Sequence, residues 1–247
     1  MKVVVVLLPC SVAAFAAKKG GFATTPKKAP KKKKAAPTVV ASPPLPAAEG
    51  GLVEPQSGLP QFMGAYLIKD PSIPDGIMKL FDETPQVRGM VSAQGGGEPI
   101  VDLRVKDSLE MSVAPNDSRR EWRRYVQALN ECMGHYVNTY PYAGAYGKFG
   151  LVSRTNVQRY PPGGGYKTFH TERTGKGEPE GSRHLVFMTY LNTLTDAGGT
   201  EFYHQDFVAT PTKGLTLVWP AGWEFTHRGV PSPTQEKTIT TGWFNYL

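Results

Sequence analysis

The sequence predicts a mainly β fold with N-terminal helices (α+β), in which a sandwich or roll of short strands follows a helical region. From Gly150 onward, segments rich in aromatic and β-branched residues alternate with glycine- and proline-rich turns. A long amphipathic pattern precedes them. The seven segments that we predict as strands are residues 156–160, 166–170, 185–192, 200–203, 215–219, 223–227 and 238–244.

Two helices are predicted before the strands. Asp75 precedes residues 76–81, which is typical of a short helix with an acidic N-cap. Residues 118–137 form the stronger pattern, because Ser118 and Glu121 make a capping box and seven apolar or aromatic residues follow at helical spacing. Residues 87–113, between the two helices, are expected to be short extended pieces around a glycine turn.

The positive charge of the chain belongs to its first 50 residues. These hold nine of the 28 basic residues and one of the 21 acidic residues, so the remaining 197 residues carry 19 basic and 20 acidic ones. A nucleic-acid-binding domain needs basic residues clustered on its folded part, so we expect no nucleic-acid partner. Cysteines occur only at Cys10 and Cys132, which excludes a disulfide framework within the body of the chain.

The N-terminal 55 residues are predicted to be a targeting leader. Residues 1–17 are a signal-like apolar segment, too short for a typical membrane span, and residues 18–55 are a Lys/Ala/Pro-rich leader or linker that we expect to be disordered. This arrangement resembles the bipartite presequences of complex plastids, which favours entry into the secretory pathway and then a plastid. The alternative is the endoplasmic reticulum lumen or secretion. In either case we expect no membrane association after cleavage of the leader.

The histidines suggest a metal site. In an extended chain, residues two apart point to the same side, so His170 and Glu172 are expected to converge. His227, at the end of a later predicted strand, supplies a second imidazole. Two histidines and one carboxylate are the ligand set of non-haem Fe(II) oxygenases. A competing triplet, His204-Gln205-Asp206, stands only 21 residues before His227, which leaves too little chain for the intervening strands of a roll.

A wider set of motifs accompanies this ligand set. Residues 157–243 resemble the catalytic domain of the Fe(II)- and 2-oxoglutarate-dependent dioxygenases, in particular the prolyl 4-hydroxylase-like family. The motifs that carry the resemblance are Tyr160-Pro-Pro-Gly163, Tyr166, His170-x-Glu172, Tyr190-Leu-Asn192, Gly198-Gly-Thr-Glu-Phe202, Pro211-x-Lys-Gly214, His227-x-Gly-x-Pro231, and Lys237 followed by Trp243.

The resemblance implies a double-stranded β-helix (jelly-roll) core at residues 151–247, supported by a helical region at residues 60–150. It implies that His170, Glu172 and His227 are the catalytic ligands of Fe(2+). Lys237 would bind the far carboxylate of 2-oxoglutarate, with a hydrogen bond from Tyr160 or Thr200. O2 would be the oxidant and ascorbate a further cofactor. The implied reaction hydroxylates a peptidyl substrate, prolyl residues included, or another small molecule, and converts 2-oxoglutarate into succinate.

Two departures from the family pattern leave alternatives open. The family usually has aspartate where this chain has Glu172, and Tyr160 and Tyr166 stand ten and four residues before His170 instead of nine and three. The alternatives are a catalytically inactive β-roll that serves as a binding module, and a cupin-type protein that uses another divalent metal. Residues 93–100 and 173–183 are the predicted substrate-selecting loops. The sequence specifies neither the substrate nor the oligomeric state.

Overall fold

The computed structural model describes residues 51–91, 98–175 and 177–247. The predicted signal segment at residues 1–17, most of the predicted linker and the glycine turn at residues 95–97 lie outside these ranges. Within them the chain forms two α-helices, α1 (Ser72–Asp82) and α2 (Arg120–Thr139), and twelve strands. The strands are β1 (Val53–Pro55), β2 (Gly64–Ile68), β3 (Val87–Arg88), β4 (Leu109–Val113), β5 (Phe149–Gly150), β6 (Thr155–Tyr160), β7 (Arg183–Tyr190), β8 (Thr200–Phe202), β9 (Phe207–Ala209), β10 (Leu215–Pro220), β11 (His227–Gly229) and β12 (Lys237–Tyr246).

The strands form two antiparallel sheets. The larger sheet has the order β1-β2-β10-β7-β12-β6-β4-β3, with β5 paired to the end of β12. The smaller sheet has the order β11-β8-β9. Apart from β1–β2 and β3–β4, neighbours in the large sheet are far apart in sequence, as expected of a roll whose strands cross from side to side. The predicted mainly β class with a double-stranded β-helix core is thus confirmed.

Each face of the large sheet covers a separate apolar core. Successive side chains of a strand point to opposite faces. On one face, Leu185 and Phe187 of β7 pack with the two helices around the buried Trp122 of α2. On the other, Val186 and Met188 pack with the smaller sheet. The functional side chains described below lie in this second core, between the two sheets.

A buried group of hydroxyls joins α2 to the middle of the large sheet. The Tyr125 hydroxyl lies 2.8 Å from Thr189 Oγ1 and 2.6 Å from Thr240 Oγ1, and Thr189 is in turn 2.8 Å from Thr216. All four side chains are almost completely buried. Buried hydroxyls need partners, because an unpaired one loses its hydrogen bonds to water without replacement. This network therefore fixes where the helix sits on strands β7, β10 and β12.

The helix starts differ from those predicted. Helix α1 begins at Ser72, whose N–H donates to Asp70, so Asp75 lies inside the first turn instead of capping it. Helix α2 begins at Arg120, and the predicted Ser118–Glu121 capping box does not form. Asp117 takes its place, since its carboxylate accepts the Arg119 N–H and pairs with the Arg119 guanidinium. In both cases an aspartate further upstream accepts a main-chain N–H at the helix start, from Ser72 of α1 and from Arg119, the residue just before α2.

Two predicted strands are wrong in detail. Residues 166–170 make only isolated bridges at Tyr166 and His170. Residues 223–225 form a 3₁₀ turn, in which Phe225 N–H donates to Gly222 O, and the strand follows at His227–Gly229. Turn formation is favoured there because the Thr226 hydroxyl also donates to Trp223 O.

The domain boundaries also need correction. The predicted linker at residues 18–55 extends too far, because Val53–Pro55 is a strand and Val53 is buried. The helical support region at residues 60–150 holds both helices, but it also gives β2, β3 and β4 to the large sheet. Residues 60–150 and 151–247 are therefore parts of one folded unit. Within the described residues, no helix has both the length and the apolar character needed to span a bilayer.

We predict that Tyr125→Phe destabilises the protein by about 1–3 kcal/mol, because the threonine hydroxyls that it bonds would be left partly unpaired in the core. Urea-induced unfolding measures this change. Tyr142→Phe is the matched control: Tyr142 is 73% exposed, so its loss should change the free energy of unfolding by less than about 0.5 kcal/mol. Equal, small effects of both variants would contradict the importance of the hydroxyl network.

Candidate active site

His170 and His227 face each other across a short antiparallel bridge. The His170 N–H donates to His227 O over 2.9 Å, and the His227 N–H donates to His170 O over 3.0 Å. The two main chains therefore hold both imidazoles on neighbouring segments, with ring centroids 4.4 Å apart. The residues that sequence separates by 57 positions are thus joined directly by the fold.

Glu172 completes the group. Its Oε1 lies 3.6 Å from His170 Nε2 and 3.5 Å from His227 Nε2. One ligand atom from each of the three residues lies within 4.8 Å of the others, and among the described residues this is the one group of three or more such side chains that could hold a metal ion. The predicted convergence of His170, Glu172 and His227 is what the structure shows.

The hydrogen bonds of the imidazoles decide which atoms face Glu172. His170 Nδ1 lies 3.0 Å from Thr168 O, and His227 Nδ1 lies 2.9 Å from Phe225 O. A carbonyl oxygen can only accept, so each Nδ1 carries the proton and, in the neutral ring, each Nε2 has a lone pair. Two lone pairs and a carboxylate oxygen then converge on one point. Such an arrangement is favourable only when a cation or an added proton occupies that point.

The charges at the site also favour a bound cation. Burial alone would raise the pKa of the Glu172 carboxyl, but hydrogen bonds and positive charge from the two imidazoles, when these are protonated, outweigh burial and hold this pKa well below its ordinary value. When both imidazoles are neutral, a bound cation has to supply that positive charge instead. Burial, together with the neighbouring His170, lowers the pKa of His227, although Glu172 opposes the shift. At neutral pH the group therefore combines an ionised carboxylate with a neutral His227, which suits a divalent cation.

Lys237, the first residue of β12, is a buried cation on the same side of the fold. Burial lowers the pKa of its ammonium to about 8. Its Nζ donates to Gly198 O over 3.0 Å and to Val230 O over 3.1 Å, which uses two of its three N–H donors. In the part of the chain that the structure describes, no carboxylate lies within ion-pair distance of it. An uncompensated buried charge of this kind is a binding site for an anion.

One cavity contains all six residues that the sequence singled out. Its lining includes His170, Glu172 and His227, together with Lys237, Tyr160 and Thr200. Apolar and aromatic residues complete the wall, among them Met188, Trp219 and Ile239. A cation site and an anion site therefore share one small, largely apolar space.

Tyr160 and Thr200 already have partners there. The Tyr160 hydroxyl donates to Gln158 Oε1 over 2.7 Å, so its proton does not point at a ligand. The Thr200 hydroxyl lies 2.8 Å from the Tyr190 hydroxyl, with which it shares one proton. To donate to a bound carboxylate instead, the Tyr160 hydroxyl would have to break its hydrogen bond to Gln158. The second proton of the Thr200–Tyr190 pair also has acceptors in the structure, namely Ala209 O, 3.4 Å from the Tyr190 hydroxyl, and Met188 Sδ, 3.5 Å from Thr200 Oγ1.

The turn before β8 explains the two glycines at this position. Gly198 has a φ of +82°, in the left-handed region where a side chain is strained. A Cβ on Gly199 would lie 2.5 Å from Ala209 O, too close for any other residue. This tight turn brings Gly198 O against the Lys237 ammonium and Thr200 into the cavity.

The competing triplet does not assemble. His204 and Asp206 lie in the exposed turn between β8 and β9, and the His204 ring packs edge-on against Trp223.

Tyr166, in contrast, reaches the site despite the extra residue in the preceding loop. Its ring stacks on His170 with centroids 3.9 Å apart, so it orients that imidazole.

Arg183 is a site residue that the sequence did not single out, and Trp243 was noted only as part of a motif, with no role assigned to it. Trp243 Nε1 donates to Glu172 Oε2 over 3.0 Å, and Arg183 Nη1 donates to Glu172 O over 2.7 Å. Trp243 could have been found by counting every second residue from Lys237 along β12. The same count along β7 from Tyr190 selects His184 and not Arg183, because a bulge intervenes.

A wider groove opens onto the metal-ligand group. Its lining includes the imidazole of His170 and the side chains of Tyr166 and Trp243. Residues from both predicted substrate loops contribute to it, namely Pro99 from residues 93–100 and Glu180 from residues 173–183. Residues 93–97 and 176 lie outside the described ranges.

The chain was compared with known families and solved structures. Residues 155–245, which contain all six of the cavity residues singled out from the sequence, match the model of the 2OG-Fe(II) oxygenase superfamily. Among curated protein sequences, none matches the chain significantly.

Three solved structures share the fold. The viral collagen prolyl hydroxylase of Paramecium Bursaria Chlorella virus-1, in its 2OG complex, has 16% identity and a TM-score of 0.54, over 81% of this chain and 98% of that one. A prolyl-4-hydroxylase of Pseudomonas putida has 18% identity and a TM-score of 0.54, and the match covers 72% of this chain and 86% of that one. The Trichoplax adhaerens prolyl hydroxylase, bound to a hypoxia inducible factor peptide, has 15% identity and a TM-score of 0.53, and the match covers 71% of this chain and 79% of that one.

At these identities the solved structures establish the fold, and the family model establishes the family of the strand-rich half. This family implies Fe(2+), 2-oxoglutarate and O2, and the cation and anion sites of the cavity have the chemistry to hold the first two. The chain therefore carries, at residues 155–245, a domain of the 2OG-Fe(II) oxygenase superfamily, in a fold that it shares with prolyl hydroxylases.

Proposed function

We propose that the protein is an Fe(II)- and 2-oxoglutarate-dependent dioxygenase that hydroxylates a peptidyl substrate, with proline as the residue to test first. One observation carries the proposal. The three acceptor atoms of His170, Glu172 and His227 converge in the same cavity that holds the Lys237 ammonium, which has no carboxylate partner among the described residues. Because the first group needs a cation and the second needs an anion, the cavity suits a metal and a carboxylate ligand together.

The residues have separate tasks in this proposal. His170, Glu172 and His227 would hold Fe(II) on one face, with the other face left for cosubstrate and oxygen. The third N–H of Lys237 would donate to the far carboxylate of 2-oxoglutarate, a contact strengthened by the charge on both partners. Met188, Trp219 and Ile239 exclude water, which strengthens these electrostatic contacts.

The chemistry itself belongs to the bound groups. When bound, Fe(II) and 2-oxoglutarate activate O2, so that one oxygen atom enters the substrate C–H bond as a hydroxyl, the other enters succinate, and CO2 is released. The protein positions the reacting C–H at the mouth of the cavity, where Tyr166 and Trp243 line both the groove and the approach to Glu172. Ascorbate, in this proposal, keeps the iron reduced between turnovers.

Two findings support a peptide as the substrate. The groove above the ligand group is open and lined by side chains of mixed character, including Arg88, Met90 and Glu180. One solved structure of the same fold is described as a complex with a peptide fragment of hypoxia inducible factor.

We predict that the purified full chain, supplied with Fe(II), 2-oxoglutarate, ascorbate and a library of proline-containing peptides, forms succinate and adds one oxygen atom to a subset of the peptides. Mass spectrometry of the peptides and enzymatic measurement of succinate detect the two products. Stoichiometric hydroxylation and succinate formation support the proposal. Tight 2-oxoglutarate binding with no turnover on any peptide would favour a catalytically inactive binding module instead.

We predict that His170→Ala and His227→Ala each lower turnover by more than about 100-fold, since losing a metal ligand should cost more than the about 10–100-fold that loss of an outer partner costs. Iron content after anaerobic loading provides a second measurement and should fall in parallel. His204→Ala is the control and should keep both turnover and iron content, because His204 lies in an exposed turn. If His204→Ala is the inactive variant, the ligand assignment is wrong.

We predict that Lys237→Met weakens 2-oxoglutarate binding by about 10–100-fold, through loss of a charge-assisted contact worth about 1.5–3 kcal/mol. In the unsubstituted protein the affinity should be constant below pH 8 and should fall as pH rises further, because the Lys237 pKa of about 8 means that its positive charge is lost there. Calorimetric titration of 2-oxoglutarate at several pH values measures both effects. A variant with unchanged affinity would remove Lys237 from the cosubstrate site.

A further inference from the structure

The second carboxylate oxygen of Glu172 is held away from the two imidazoles. Oε1 faces His170 and His227, whereas Oε2 accepts the indole N–H of Trp243 over 3.0 Å. The Arg183 guanidinium approaches the same oxygen, with Nη1 3.4 Å from Oε2. The two oxygens of this carboxylate therefore have different partners, one set on the metal side and one set behind it.

Arg183 and Trp243 form a single unit behind Glu172. The guanidinium carbon of Arg183 lies 3.7 Å from the centroid of the Trp243 ring, in cation–π contact, and Arg183 Nη1 also donates to the Glu172 main-chain oxygen over 2.7 Å. The side chains of Arg183 and Glu172 are largely buried, with exposures of 16% and 13%, and Trp243 is partly buried. Main chain and side chain of Glu172 are thus fixed together.

A bulge in the large sheet makes this unit possible. Trp243 of β12 pairs with Val186 of β7, but Asn245 pairs with Arg183, so β7 contains one extra residue at His184. Without the extra residue, Arg183 would point to the helix side of the sheet, since side chains alternate along a strand. The bulge turns it to the cavity side, beside Trp243.

We propose that Arg183 and Trp243 are positioning residues that hold Glu172 Oε2, so that this glutamate presents only Oε1 to the metal. The inference rests on the proposed function, because it assumes that Glu172 is a metal ligand. A glutamate has one more rotatable bond than the aspartate usual at this position, and a fixed Oε2 removes that freedom. An aspartate, shorter by about 1.5 Å, would not reach the Trp243 N–H within hydrogen-bond distance from the same main-chain position.

The test is a double-mutant cycle on binding of Mn²⁺, in the absence of 2-oxoglutarate and peptide. Free Mn²⁺ is measured by electron paramagnetic resonance during titration of the full chain. We predict that Trp243→Phe, which keeps the ring but loses the N–H, weakens Mn²⁺ binding by about tenfold or more. In a Glu172→Asp background, the same substitution should change the affinity by less than about twofold, because the contact is already lost.

Controls separate this inference from the proposed function. Trp223→Phe, at a tryptophan that is 70% exposed, should leave Mn²⁺ affinity unchanged. Arg183→Met keeps the stem but removes the donors, and it should weaken Mn²⁺ binding even if Trp243→Phe fails to fold. Equal effects of Trp243→Phe in both backgrounds, or no effect of either variant, would overturn the positioning role. Mn²⁺ binding that survives His170→Ala would overturn the ligand assignment itself.

Discussion

The site depends on one electrostatic constraint, the convergence of three acceptor atoms with no proton between them. Main-chain carbonyls take the Nδ1 protons of His170 and His227, so both Nε2 lone pairs point at Glu172 Oε1. Lone pairs and a carboxylate repel one another in a low-dielectric interior, unless a cation lies among them. The paired main chains of His170 and His227 keep these atoms together. The folded site therefore favours binding of a metal ion.

The rest of the architecture serves to hold this group between two sheets. The large sheet presents one face to the helices and the other to the cavity, and the Tyr125 hydroxyl network fixes the helix side. On the cavity side, β12 begins with Lys237 and carries Trp243 six residues later. The anion site and the support of Glu172 are therefore parts of one rigid strand, which sets the distance between metal and cosubstrate contacts.

Much of this could be predicted from sequence, for reasons that are specific to each element. The motifs around His170, His227 and Lys237 identify the cavity, because residue type and order suffice where each side chain acts directly on a ligand. The start of α2 could not be predicted, since Asp117 and Ser118 are both good capping residues and only the folded geometry selects one. Arg183 could not be predicted either, because a bulge reverses the side to which it points and the sequence carries no sign of that bulge.

The ligand group also explains how Glu172 can serve at a position where the motif resemblance leads one to expect aspartate. Trp243 of β12 and Arg183 of β7 restrain the extra rotational freedom of the glutamate. A metal ion beside Oε1 would balance its negative charge. The most direct test is anomalous X-ray diffraction on either side of the iron absorption edge, from crystals loaded anaerobically with Fe(II). We expect one peak within bonding distance of His170 Nε2, His227 Nε2 and Glu172 Oε1. A peak elsewhere, such as beside His204, or no peak in a fully loaded crystal, would contradict the central claim.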